Sequence, residues 1–345
     1  MKIVHIIWGL TTGGAETMLV DIVNEQVKRE SVAIVVINDL INQALFEKID
    51  KRCFVKLCRR TVGSKSFCPW VNLNVFLWRY HPDIIHFHLE GMRKMVFHPA
   101  PQVFTIHNMH TSGIEYPKYK ALYAISDAVK RRTKEQGFES TTIWNGIHPS
   151  QIVVKKDFDV IRPSYRFVCV GRLYTPHKGQ DILIHALEIL KKKGLYNYHL
   201  DIIGDGESRG QLEMLIKSLG LNDFVTLLGH RDREYVYSHL SDYDLFILPS
   251  RSEGFGLAVA EAMCAKVPVL VCDLEGPKEV IQEGKYGLFY RSEDVKDLAL
   301  KLQNVIEYGI SVAIDEASAF AMENFCIEVT AQKYLEEYHK VIEHL

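Results

Sequence analysis

Long apolar runs are missing from this chain. No stretch approaches the roughly 20 residues that a membrane-spanning helix needs, and the opening run Met1 to Ile7 is too short, and too soon followed by glycine, for a signal peptide. The expected location is therefore cytoplasmic, or peripheral at the inner face of the membrane. The seven cysteines include no Cys-x-x-Cys pair, and Cys53, Cys58 and Cys68 have no later Cys/His pair to complete a zinc pattern. Reduced thiols are the expectation. A large excess of one charge is also absent. With a formal net charge of −2, the whole chain does not read as a nucleic-acid binder. Internal repeats and low-complexity segments are lacking. The first turn, Gly9 to Gly14, does not spell Gly-x-Gly-x-x-Gly, and only Asp39 offers itself as an acidic residue after the second strand. Both points weigh against a nicotinamide dehydrogenase.

What is present is an ordinary globular composition, 47% hydrophobic and 24% charged, in 345 residues. That length predicts two domains. Charge is divided between the halves: residues 1–155 hold 20 Lys+Arg against 13 Asp+Glu, net +7, and residues 156–345 hold 21 against 30, net −9. Short apolar runs at 2–7, 32–37, 83–88, 102–107 and 121–125 alternate with helical stretches such as 15–27. A second series begins near 165, with strands at 166–170, 198–203, 224–228, 245–248 and 268–271 and helices at 181–193, 211–219, 233–240 and 257–265. Strands of this kind separated by helices predict parallel sheets covered on both faces. The expected fold class is α/β, with two Rossmann-like doubly wound domains facing a central cleft. The boundary is expected around 150–165, where Pro149, Pro163 and several charges interrupt the pattern. In such sheets ligands bind beyond the carboxyl ends of the strands.

Two stretches at such ends carry chemistry. The first runs from Ser250 through Glu253, Gly254, Phe255, Gly256, Leu257 and Ala258 to Glu261. A glycine turn leads into a helix start, where free backbone N–H groups and the dipole favour an anion. Glu253 and Glu261 are eight residues apart, about 12 Å if wholly helical, a span suited to gripping both ends of a nucleotide-sugar. The second stretch is Gly171-Arg172 to Lys178-Gly179. An arginine fork and a lysine point charge are suited to a departing diphosphate. Asp242-Tyr243-Asp244 superficially matches a metal-binding Asp-x-Asp, but it precedes a strand, at the end away from the ligand edge; no metal is assigned to it.

These stretches together resemble the family-4 retaining glycosyltransferases of the GT-B fold. Glu253 and Glu261 match the family's Glu-x7-Glu motif, and Arg172 with Lys178 its cationic pair. Further matches are Gly13-Gly14-Ala15-Glu16, the stretch Asp83 to His88, Thr105 to Asn108, Ser126, Trp144 to Ile147, Gly204-Asp205-Gly206, Gly229-His230 and Gly276 to Glu279. The last stretch, from Asn324 to Tyr338, is similar to the family's closing helix. Two departures stand out: the Arg172–Lys178 spacing is one residue longer than usual, and Cys326-Ile327 replaces a common aromatic.

The resemblance implies an acceptor-side domain over 1–155 to which 325–345 returns, and a donor domain over 156–324. It implies transfer of a hexose from a nucleotide-sugar, UDP-linked by expectation, to a glycan or polyprenyl-linked acceptor, with anomeric retention and without a metal or other cofactor. A GT-B-fold epimerase and a non-catalytic nucleotide-sugar-binding module are the alternatives. In the implied roles Arg172 and Lys178 hold the diphosphate, Glu253 the sugar hydroxyls and Glu261 the ribose. Backbone at Gly13, Gly14 and Gly256 to Ala258 caps the phosphates, Gly229 belongs to the donor domain, and His107 lies near the forming bond, where a proton state adjustable near neutrality is useful. His86 and His88 read as structural, or acceptor-side at most. Finally, Lys118, Lys120, Lys130, Arg131, Arg132 and Lys134, the last four on a helix expected over 127–136 behind Ser126, suggest docking on an anionic membrane.

Overall fold

The computed structural model describes residues 1–11, 13–156 and 163–344. Residues 157–162, within the expected boundary stretch, lie outside the described residues. The chain divides into two compact units, Met1–Gly146 with Cys326–Leu345, and Ile147–Phe325.

The first unit is built on a seven-stranded parallel sheet: β1 Lys2–Ile7, β2 Ser31–Asn38, β3 Phe54–Arg60, β4 Ile84–Phe87, β5 Gln102–Ile106, β6 Ala121–Ala124 and β7 Thr141–Thr142, in the order β3-β2-β1-β4-β5-β6-β7. The central strands are apolar on both faces because helices cover both faces; β2 is buried from Val32 to Asn38. Ser126 caps the helix Asp127–Glu135, its Oγ accepting from Val129 N at 3.1 Å, as a serine entering a helix from extended backbone does. The helix Ile327–Glu343 buries Tyr334 and Tyr338 in this unit, packing beside Tyr123 and His86.

The second unit holds β8 Tyr165–Val170, β9 Tyr198–Ile203, β10 Val225–Gly229, β11 Leu245–Leu248, β12 Val269–Cys272 and β13 Leu288–Tyr290, all parallel, in the order β10-β9-β8-β11-β12-β13. Residues 147–156 pack here: Val153 N donates to Tyr237 O, and Lys155 Nζ reaches Asp244 Oδ1 at 2.8 Å.

Glycines at the carboxyl edge allow backbones to touch. Gly179 stands at φ +61°, and a Cβ there would lie 2.0 Å from Pro249 O. Gly204 is held equally tightly, its Cβ position 1.9 Å from Gly171 O. Gly194 shares the left-handed conformation (φ +80°) but faces open space. Gly194→Ala therefore costs only the backbone strain, about 1 kcal/mol. Gly179→Ala adds a backbone collision and is expected to cost about 3 kcal/mol or more. Urea unfolding of the two variants measures the difference; equal losses would show that the Gly179–Pro249 approach is not a real constraint.

Candidate functional site

At the carboxyl edge of the second sheet, β8 ends in Gly171-Arg172 and a short helix, Thr175–Lys178, follows. The loop after β11 lies alongside it. Arg251 joins the two: its guanidinium makes paired bonds to Asp181 at 2.7 and 2.8 Å and a third to Thr175 O at 2.7 Å. The backbone amides of Arg251 and Ser252 both donate to His177 O. Bidentate charge-assisted bonds of this kind fix geometry as well as adding energy. Asp181 and its hydrogen bonds raise the Arg251 pKa further, so the clip is charged at any working pH. Arg251 lies within the stretch singled out from sequence but was given no role there, because its partner lies 70 positions away.

The clip brings Lys178 onto Glu253, Nζ to Oε2 at 2.7 Å, with both side chains largely but not fully buried. Arg172 takes a different course. Its guanidinium pairs with Glu207 rather than with the Lys178–Glu253 couple, and both partners are well exposed. The expected cationic pair thus exists as two ion pairs, each cation already holding a carboxylate.

Glu253 is not on the helix that bears Glu261. That helix runs Leu257–Cys264 from a left-handed Gly256 N-cap (φ +106°), so the 12 Å helical span does not describe the separation. Gly254 lies under the helix Glu275–Val280, where a Cβ on Gly276 would meet the Gly254 carbonyl at 2.7 Å. Phe255 is buried edge-on against Phe325 at 5.2 Å. Leu257 and Ala258 are half-buried in the first turn, and Glu261 Oε1 accepts from Tyr237 OH at 3.2 Å. Gly229 closes β10, its carbonyl accepting from Gly204 N.

In the first unit, Gly13 is the N-cap of the helix Gly14–Gln26 and Gly14 its first residue. Beside this turn Glu16 folds back so that its Oε2 lies 2.1 Å from where a Gly13 Cβ would be, and Thr11 Oγ1 donates to its Oε1 at 2.9 Å. An acidic first-turn residue interacts favourably with the positive end of the helix dipole.

His107 follows β5 and lines a cavity of about 140 Å³ with His88, Glu90, Phe104, Asn108 and Thr111 among its walls. Behind it runs a buried chain of imidazoles. His5 and His86 are register partners on β1 and β4, so they share a face. Gln26 Oε1 accepts from His5 Nε2 at 2.8 Å, His5 Nδ1 meets His88 Nε2 at 2.9 Å, and His88 Nδ1 meets His107 Nε2 at 3.2 Å. Desolvation lowers His5 and His107 to about 4, and His86 and His88 well below their ordinary value. With these rings neutral and Gln26 Oε1 accepting, His5, His88 and His107 each donate from the ε nitrogen, and His107 is left with an unprotonated Nδ1. His86 belongs to a branch, bonded to Tyr338 OH at 2.6 Å and to Thr105 Oγ1 at 2.7 Å.

Among the described residues, His5, His86 and His88 bring nitrogens within 4.8 Å of one another, the spacing of a metal site. Their nitrogens are already engaged in the bonds just described, so an entering cation would have to displace them. Asp244 holds Lys155 Nζ and Arg166 N, while the Asp242 carbonyl accepts from Arg166.

The comparisons with known proteins bear on this edge. Residues 155–316 match the family model "Glycosyl transferases group 1". The second unit carries a group 1 glycosyl transferase domain. The chain is 30% identical over 225 residues to the amylovoran biosynthesis glycosyltransferase AmsK of Erwinia amylovora, a match covering 61% of this chain and 54% of AmsK, about half its length. It is 27% identical over 324 residues to the lipopolysaccharide core biosynthesis glycosyltransferase LpsD of Rhizobium meliloti, covering 88% of each. Among solved structures, Anabaena HepE in complex with UDP-glucose superposes with a TM-score of 0.80 at 21% identity, over 99% of this chain and 100% of that one. The fold is GT-B, and Arg172, Lys178, Glu253 and Glu261 lie within the matched residues.

The histidine chain makes stability depend on pH. His5, His86 and His88 are held neutral when folded but take up protons near 6.5 when unfolded. Their contribution is complete above pH 6.5 and is lost as pH falls toward 4, at up to about 1.4 kcal/mol per pH unit for each ring. Urea midpoints measured from pH 7.5 down to 5.5, above the carboxylate range, should fall below about 6.5; a flat profile would contradict a buried neutral network.

Proposed function

We propose that this chain is a retaining hexosyltransferase that moves a hexose from a nucleotide-sugar, UDP-linked, to a glycan or polyprenyl-linked saccharide acceptor in the building of a cell-surface polysaccharide, without a metal, at the cytoplasmic face of the membrane. The observation that carries the reading is the Lys178–Glu253 contact, 2.7 Å long and placed by Arg251 at the carboxyl edge of the group 1 domain. The UDP-glucose complex of the HepE neighbour supports the donor class, and the AmsK and LpsD names support the kind of acceptor.

In this reading the resting carboxylates hold the places of substrate groups. Lys178 turns from Glu253, and Arg172 from Glu207, to the diphosphate. The released Glu253 then accepts hydrogen bonds from sugar hydroxyls. As the glycosidic bond breaks, negative charge grows on the leaving diphosphate, so the two cations stabilise the transition state more than the bound donor. Backbone N–H groups at Gly256 to Ala258 add the helix-start dipole, and Glu261, oriented by Tyr237, takes the ribose hydroxyls. The acceptor attacks on the leaving-group face, which gives retention. On the acceptor side, neutral His107 presents its bare Nδ1 as a hydrogen-bond acceptor.

A panel of nucleotide-sugars, each with and without saccharide acceptors, tests this directly. Transfer with the donor's anomeric configuration kept, undiminished by EDTA, is the expected result. An isomerised nucleotide-sugar formed without acceptor, or activity lost in EDTA and restored by manganese, would contradict it.

Lys178→Ala and Arg172→Ala should each lower turnover at saturating donor by about a hundredfold. Glu261→Ala should weaken UDP binding in calorimetry with a smaller effect on turnover, and Glu253→Ala the reverse. Near-native turnover in both cation variants would remove the diphosphate assignment.

A further inference from the structure

The helix Cys68–Tyr80 is apolar on two sides. Trp70, Leu73 and Leu77 face the core of the first unit. Opposite them Phe67, just before the helix, and Val71, Val75 and Trp78 stand 72, 58, 44 and 53% exposed. Their spacing of four, four and three residues puts them on one stripe. Phe97, 67% exposed, extends it: its N–H donates to Asn74 Oδ1 at 2.7 Å, and Asn74 Nδ2 donates to Met95 O at 2.9 Å, which pins the 95–97 segment against the helix. Among the described residues of the unit the stripe is the largest gathering of exposed bulky apolar side chains, and ordinary surfaces scatter such residues singly.

Its charge setting is equally one-sided. Residues 51–82 contain seven Lys or Arg (Lys51, Arg52, Lys56, Arg59, Arg60, Lys65 and Arg79) and no Asp or Glu; of these Arg52 pairs with Asp50 at 2.7 Å, just outside the stretch. Lys65 and Arg79 are exposed at the two ends of the stripe, with Lys94 exposed in the segment before Phe97. By contrast, the charge on the helix Asp127–Glu135 is partly cancelled, Arg132 pairing with Glu135 at 3.0 Å and Lys134 lying 4.0 Å from Glu139.

We propose that the first unit docks on an anionic lipid bilayer through this stripe, with Phe67, Val71, Val75, Trp78 and Phe97 entering the headgroup–acyl boundary and the surrounding basic residues lying against anionic headgroups. A bare apolar face could also pair with a second copy, but that would set basic rims against each other. An anionic bilayer satisfies both the apolar stripe and its charge, which is the pattern of an interfacial amphipathic helix. The docking does not depend on the transfer reaction, and its test needs no substrate.

The full chain is sedimented with phosphatidylcholine–phosphatidylglycerol vesicles and with phosphatidylcholine alone, at low and high salt, while tryptophan emission is followed. Binding to the mixed vesicles only, weakening with salt and accompanied by a blue shift that Trp78→Phe removes, is expected. The exposed-site variant Phe67→Ser/Val71→Ser/Trp78→Ser should lose about tenfold or more in partitioning with an unchanged far-ultraviolet spectrum. Lys130→Glu/Arg131→Glu/Lys134→Glu should bind nearly as the native chain does. Failure of the native chain to bind anionic vesicles at low salt overturns the proposal. So does loss of binding in the Lys130/Arg131/Lys134 variant alone, or a vesicle-free dimer that the serine variant dissolves without any lipid binding by the native chain.

Discussion

Backbone contact at Gly179 is the constraint on which the edge of the second sheet depends. The Pro249 carbonyl occupies the space that any side chain at 179 would need, so the loop after β8 and the loop after β11 lie against each other. Once they touch, the His177 carbonyl can accept two amides from the neighbouring loop, Arg251 can reach Asp181, and Lys178 meets Glu253. Each later contact is a polar bond that adds modest energy by itself. Together they hold two oppositely charged groups in fixed places at the end of the sheet where parallel α/β folds bind ligands. The Gly276–Gly254 approach does the same from the other side of the Glu253 loop.

The first unit solves a different problem. Histidines on β1 and β4 occupy a strand face that would ordinarily be apolar, and a buried polar group without a partner is costly. The sequence meets this cost by pairing them with one another and with Gln26, Thr105 and Tyr338, contributed by a helix, a strand and the returning C-terminal helix. The network gives His107 a defined tautomer without a charged neighbour in the chain. It also ties the closing helix to the sheet through the Tyr338–His86 bond.

Much of the architecture was legible because central parallel strands are continuous apolar runs. The 2–7, 198–203 and 245–248 readings coincide with β1, β9 and β11. Strand β3 was not legible, since Lys56, Arg59 and Arg60 on a half-exposed edge hide the apolar signal. The helix Cys68–Tyr80 is not legible either, because apolar residues on both sides erase the period that marks a surface helix. At the site, spacing singles out Lys178, Glu253 and Glu261, but not that Glu253 precedes the helix or that Arg172 rests on Glu207. Gly13 and Gly14 stand at a helix start as read, and the Glu16 carboxylate folded back beside Gly13 is not legible. Such pairings depend on side chains distant in sequence or on rotamers, and neither leaves a local pattern.

The central claim is that the edge held by Gly179 and Arg251 receives a nucleotide-sugar. Hydrogen–deuterium exchange of the intact chain with and without UDP-glucose tests it most directly, because backbone amides report contact whether or not the right acceptor is known. The account predicts slowed exchange concentrated over 171–179 and 253–261, with the 13–16 turn little changed. Binding that leaves both of those segments unprotected, or that protects only the first unit, would contradict it.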